Sequence, residues 1–205
     1  RFSMVISKIH TKGCPMIFIM SDESIVLIDE GYLSFISKFF GKGRPLKNHI
    51  EIFAQKLAKE RNLICKTIYF YTAPPYQSSR PSNEENMRKA HYDSFIDILK
   101  KVNPPIIVRE GRCQKDEKGN FHQKGVDTLL TMDLLKVAQK KEAVKIILLT
   151  SDTDFVPIIK DIRKEYKTKI ILAYFTDRKR KSPFSLSNHL WNVCDDRICI
   201  RKDHF

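Results

Sequence analysis

The residues best placed to do chemistry are aspartates that follow apolar runs. Asp29 closes Ile25-Val26-Leu27-Ile28, and Asp152 and Asp154 follow the next strongly apolar run in Leu148-Leu149-Thr150-Ser151-Asp152-Thr153-Asp154-Phe155. Continuous apolar, β-branched runs of this length read as strands buried on both faces. In open α/β sheets, ligands bind beyond the carboxyl ends of the strands. If these two strands are neighbours, their ends lie about 4.8 Å apart, and the carboxylates converge on one small volume. Carboxylates held together repel, and they coexist only with a proton or a cation between them. A hard divalent ion such as Mg2+ or Mn2+ suits a donor set made only of oxygen.

Two more acids fall in a helical stretch. Val126, Leu130 and Val137 form its apolar stripe, and Asp133 lies on that stripe. A lone acid there is either paired or part of a site. Asp127 stands at the start of the helix, where the dipole favours a carboxylate, so capping alone accounts for it. Simple structural roles exist for the others too. One of Ser151 to Asp154 is expected to cap the helix that begins near Phe155 and Pro157, and Asp29 precedes a turn at Gly31.

These acids need a frame to bring them together, and the periodicity supplies one. Expected strands are 24–29, 63–71, 106–110, 144–150 and 168–175, with a last short strand at 197–200. Expected helices are 32–40, 47–61, 84–102, 126–140 and 155–166, with a short one within 184–193. Residues 111–124 read as a hydrophilic connection. Alternation of this kind means an α/β fold: three Rossmann-like α/β/α layers around a mainly parallel central sheet. Residues 1–23 read as an extended arm or hairpin, which offers a homodimer contact, and 24–205 as the single main domain.

Charge narrows the partners. The chain has 205 residues, 37 Lys and Arg against 24 Asp and Glu, and a formal charge of +13. Such a surplus favours a polyanion, with nucleic acid the commonest. No apolar run is long enough to span a membrane. The five cysteines are odd in number and form no Cys-x-x-Cys pair, so a cytoplasmic, reduced setting is expected. The six histidines are not closely paired, and none is assigned a catalytic role. Arg178-Lys179-Arg180-Lys181 follows a strand end and Lys124 precedes the Asp127 helix, so both are expected to hold a phosphate backbone. Tyr32, Tyr76 and Phe121 are candidates for stacking on unpaired bases.

The ordered set of these pieces resembles the NYN domain family, a branch of the PIN-like nucleases. The pieces are Val26-Leu27-Ile28-Asp29, then Lys124-Gly125-Val126-Asp127 with Asp133 six residues on, then Leu148 to Pro157, then Lys169 to Phe175, then Ser185 to Leu190 leading to Cys194-Asp195. The resemblance spans about residues 24 to 200. It implies a metal-dependent ribonuclease, an endonuclease, with Asp29, Asp127, Asp152 and Asp154 as the metal pocket and Asp133 as a supporting acid. Two positions depart from the family pattern. Tyr32 stands where Asn is usual, and Ser151 where Gly is usual.

Two rivals follow from the same residues. Asp152-Thr153-Asp154-Phe155-Val156 also matches the first motif of haloacid-dehalogenase phosphatases. That motif normally opens its fold, and here only about 50 residues follow it. The other rival is an RNA-binding or protein-interaction module that kept the fold without turnover.

Overall fold

The computed structural model describes residues 22–47, 49–143, 145–177, 182 and 184–205. Nearly all of the expected N-terminal arm, and all four of Arg178, Lys179, Arg180 and Lys181, lie outside the described residues.

Six strands form the central sheet: β1 (Glu23–Asp29), β2 (Ile64–Thr72), β3 (Ile106–Glu110), β6 (Lys145–Leu149), β7 (Lys169–Tyr174) and β8 (Asp196–Cys199). Their spatial order is β3-β2-β1-β6-β7-β8, and every pairing is parallel. The helices are α1 (Glu30–Phe40), α2 (Ile50–Lys59), α3 (Asn83–Leu99), α4 (Val126–Gln139), α5 (Val156–Tyr166) and α6 (Asn188–Val193). The expected strands and helices are all present, with ends shifted by a few residues.

The two-residue period of the strands divides the core into two apolar layers. Val26, Ile28, Ile68, Phe70, Ile147 and Leu149 pack on one side with α1, α2 and the buried residues Ile96 and Leu99 of α3. Ile25, Leu27, Ile146, Leu148, Ile170 and Leu172 pack on the other with α4, α5 and α6. Strands covered on both faces must be apolar throughout, which is why β1 and β6 read as unbroken runs.

The order turns around β1. From β1 the chain adds β2 and β3 on one side, then returns to lay β6 on the other, with Ile28 opposite Leu149. A crevice opens at such a switch point, beyond the carboxyl ends of the two strands. Asp29 is the last residue of β1, and Asp152 comes three residues after the end of β6.

Residues 111–124 depart from expectation. They form an antiparallel ribbon, β4 (Arg112–Lys115) with β5 (Phe121–Lys124), separate from the main sheet. Its turn is built on Asp116, whose carboxylate accepts from the backbone N–H groups of Lys118 and Asn120 and contacts His122 Nε2 at 2.9 Å. The base is tied to the sheet by Gly111 N–H donating to the Thr72 carbonyl at 2.8 Å. A Cβ on Gly111 would sit 2.5 Å from the Lys124 carbonyl oxygen and 2.8 Å from Val126 Cγ2. The two ends of the ribbon therefore close only around a glycine. Gly111→Ala is expected to destabilise the fold by about 1–3 kcal/mol through overpacking. Denaturant unfolding measures this, and unchanged stability would contradict the close approach.

Candidate active site

Asp29 sits where β1 becomes α1. Its extended backbone makes it the N-cap, and its carboxylate accepts from Gly31 N–H at 2.9 Å and Tyr32 N–H at 3.4 Å. Its place in the two-residue period is that of Ile25 and Leu27, the face that α4 covers. Burial pushes its pKa up from 3.8 to about 6 against the lowering effect of the Tyr32 N–H, and the charge of Asp127 pushes the same way.

Asp127 lies in the first turn of α4, after Gly125 in a left-handed conformation (φ 82°) that turns the chain from the ribbon into the helix. Gly125 occupies the cap position without a side-chain bond, so capping does not occupy Asp127. Burial raises the Asp127 pKa, and the charges of Asp152 and Asp154 raise it further. Asp152 caps the short 3-10 turn Thr153–Phe155 by accepting from Asp154 N–H at 2.9 Å. Its own N–H donates to the Thr150 hydroxyl at 3.2 Å. The expected cap is thus Asp152, and Asp154 is exposed beside it.

The four aspartates are therefore linked through one another's fields: Asp29 with Asp127, and Asp127 with Asp152 and Asp154. None of the four is in an ion pair among the described residues. Glu30, Glu84, Glu85, Glu110, Glu117 and Asp161 also lack an ion pair among the described residues; what sets the four aspartates apart is that they lie in one another's fields. Among the described residues no three acidic, imidazole or thiol side chains converge closely enough to cage an ion. Magnesium does not need a cage. It commonly keeps several waters and takes one or two carboxylates, with substrate phosphate completing the shell. An all-oxygen, uncompensated group of this kind fits such a hydrated ion.

Two expected site residues have other roles. Tyr32 was expected to stack on a base, and the structure corrects this: it is 2% exposed, one helical turn into α1 and facing the core. Its hydroxyl accepts from Phe175 N–H at 2.9 Å, tying α1 to the end of β7. Asp133, expected as a supporting acid, is buried on the α4 stripe and gripped by Arg109, with Nε to Oδ2 at 2.6 Å and Nη2 to Oδ1 at 3.2 Å. Its charge is already balanced, so it adds nothing to the uncompensated group. Lys124 is exposed at the end of β5, three residues before Asp127.

Two acids at the same edge escaped the sequence reading. Glu30 follows Asp29, and burial raises its pKa against the field of Lys38. Glu110 ends β3 and accepts from the Tyr92 hydroxyl at 2.8 Å. Each had the signal used for Asp29, an acid at a strand end.

The raised acids have a sign that can be measured. A carboxyl with a raised pKa binds more protons folded than unfolded, so its contribution to stability declines as pH rises from about 4 to about 6. For Asp29 the shift of about 2 units is worth at most about 3 kcal/mol. Asn keeps the cap and removes the charge. In metal-free buffer, Asp29→Asn is expected to be more stable than wild type above pH 6, with a flatter stability profile between pH 4 and 6. Urea titrations across pH measure this, and parallel profiles for the two proteins would contradict it.

Comparison with known proteins bears on the fold and the family. The NYN domain model matches residues 23–200, a span that includes all four aspartates. A comparison with curated proteins gives no match. Among solved structures, the crystal structure of a protein of unknown function, VPA0982, from Vibrio parahaemolyticus is similar. The TM-score is 0.57 at 16% identity, covering 89% of this chain and 95% of that one. At that identity the likeness speaks for the shared α/β fold alone. The extent of the family match carries the conclusion: the chain belongs to the NYN domain family, whose PIN-like fold is nuclease-like and RNA-related.

Proposed function

We propose that this chain is a metal-dependent endoribonuclease that hydrolyses RNA phosphodiesters at Asp29, Asp127, Asp152 and Asp154, with Mg2+ or Mn2+ as its ion. The observation that carries this reading is the uncompensated carboxylate group at the β1/β6 switch point of a strongly basic NYN-family chain.

When bound, a divalent ion would lower the pKa of a water for attack on phosphorus and stabilise charge on the leaving oxygen. The chain's own residues do the positioning. Asp127 lies between the other three in the chain of electrostatic contacts, and so is the natural central ligand. The carboxylate of Asp29 is oriented by two backbone N–H groups, and that of Asp152 by one. Both are pre-set rather than free to rotate. Burial pushes the Asp29 pKa up to about 6, and a bound cation would hold the carboxylate ionised. Lys124, three residues before Asp127, would hold a phosphate there, and the basic sequence Arg178 to Lys181 is proposed to bind the same backbone.

The rival reading, an RNA-binding module without turnover, draws support from position 32. The family's usual Asn is replaced by a Tyr whose hydroxyl is engaged with Phe175 N–H, so this position offers the acids only its backbone N–H. The two readings separate in a single assay with labelled single-stranded and structured RNAs in Mn2+, Mg2+ or EDTA. The nuclease reading expects cleavage that requires metal and falls at least about 100-fold in Asp152→Asn, as when a group stabilising transition-state charge is removed. Binding without cleavage in any metal, equal in both proteins, would favour the silent module.

A further inference from the structure

The β4–β5 ribbon has no packing reason to exist in its present form. Its strand residues are exposed on both faces apart from half-buried Cys113. A two-stranded ribbon without a buried face is marginal by itself, and this one is held by the Asp116 turn and the Gly111 tie.

Its register pairs Arg112 with Lys124, Gln114 with His122, and Lys115 with Phe121. Directly opposed residues share a face, and alternate pairs change face. One face therefore carries Arg112, Lys124, Gln114 and His122. The other carries Lys115 and Phe121, and it leans on the β2–α3 connection. There the Phe121 ring lies 5.5 Å from that of Tyr76, with Lys115 Nζ 5.7 Å from the Phe121 ring centre.

The first face holds an energetic anomaly. Arg112 and Lys124 are like charges directly opposed across an antiparallel pair, an arrangement that weakens the ribbon. Neither has an ion-pair partner among the described residues, and both are exposed. A bound anion relieves the repulsion. The pair also stands at the base of the ribbon, two residues after Glu110 and three before Asp127, at the rim of the acid group. The next pair out, Gln114 and His122, lies about 6.8 Å farther along; there the Gln114 amide suits phosphate or sugar oxygens, while His122 Nε2 is engaged by Asp116.

We propose that this face of the ribbon is a track for the sugar–phosphate backbone of single-stranded RNA, with Arg112 and Lys124 clamping the phosphate next to the acid site. A guanidinium and an ammonium directly opposed, with the Gln114 amide behind them, match a phosphate chain; the His122 imidazole is held by the Asp116 carboxylate at 2.9 Å and takes no part in the clamp. The direction of the strand, toward Asp127, rests on the nuclease reading. The clamp itself does not.

The test measures anisotropy of a labelled single-stranded RNA in EDTA, where turnover cannot interfere. It compares wild type, Arg112→Gln/Lys124→Gln and Asp152→Asn over a range of salt. The double variant is expected to bind at least about 10-fold more weakly at moderate salt. Its log–log salt slope should be flatter by about 1.4, two contacts at about 0.7 each. Asp152→Asn should bind at least as well as wild type. The double variant also loses the opposed charges, so its melting temperature should match or exceed that of wild type, which separates lost binding from lost folding.

Equal affinity and equal slope for wild type and double variant would overturn the clamp. Wild type that binds no RNA, or an acidic polypeptide that competes as well as RNA, would overturn it too. Cleavage in Mn2+ is scored separately with the same proteins. Metal-dependent cleavage with the clamp variant unaffected would sink the clamp and spare the nuclease. Loss of RNA binding in the clamp variant with no cleavage by wild type would do the reverse.

Discussion

The constraint on which the site depends is the parallel adjacency of β1 and β6. Their register, with Ile28 opposite Leu149, sets both strands to end on the same edge. That edge is where the sheet order reverses, so no crossover helix covers it. Asp29 and the Asp152 turn leave the sheet into the resulting gap, and α4 brings Asp127 to it from the side. The apolar residues of the two strands hold acids together that would otherwise separate. Burial of those apolar residues offsets the repulsion; the pKa values of Asp29 and Asp127 are raised first by their own desolvation and further by the neighbouring acids.

The surroundings isolate this group from the rest of a basic molecule. Asp133 lies only six residues beyond Asp127 on the same helix, yet it is balanced by a bidentate Arg109. Asp195 and Asp196 are likewise engaged with Arg163 and Arg61. These three acids are ion-paired, whereas the four aspartates at the switch point have no ion pair among the described residues. Among the described residues, Arg112 and Lys124 stand next to this region on a ribbon that carries no core. This arrangement is the basis of the proposed divalent-ion site and of the proposed phosphate track beside it.

Much of this was legible in the sequence because burial on both faces leaves a plain signature. The runs Ile25 to Ile28 and Ile146 to Leu149 could only be central strands, and acids following them had to lie at the carboxyl edge. Their adjacency was not legible, since nothing in either strand names its neighbour. The ribbon was missed because Arg112 to Lys115 and Phe121 to Lys124 have no apolar alternation and so resemble a polar loop. Tyr32 offered two roles in the sequence, stacking on a base or packing, and its burial selects packing. In a helix that starts at Glu30, position 32 turns inward, and its ring packs in the core. The anomaly of Asp133 on an apolar stripe was visible, but its partner Arg109 lies 24 residues away on β3.

The central claim is that these four aspartates form one site for a divalent cation. Counting bound Mn2+ by electron paramagnetic resonance at neutral pH tests it most directly, using wild type and an Asp29→Asn/Asp152→Asn double variant. The account predicts saturable binding of one or two ions per wild-type chain, lost or weakened at least about 100-fold in the variant, with the variant still folded. Absence of bound Mn2+ in wild type, or the same stoichiometry and affinity in the variant, would contradict it.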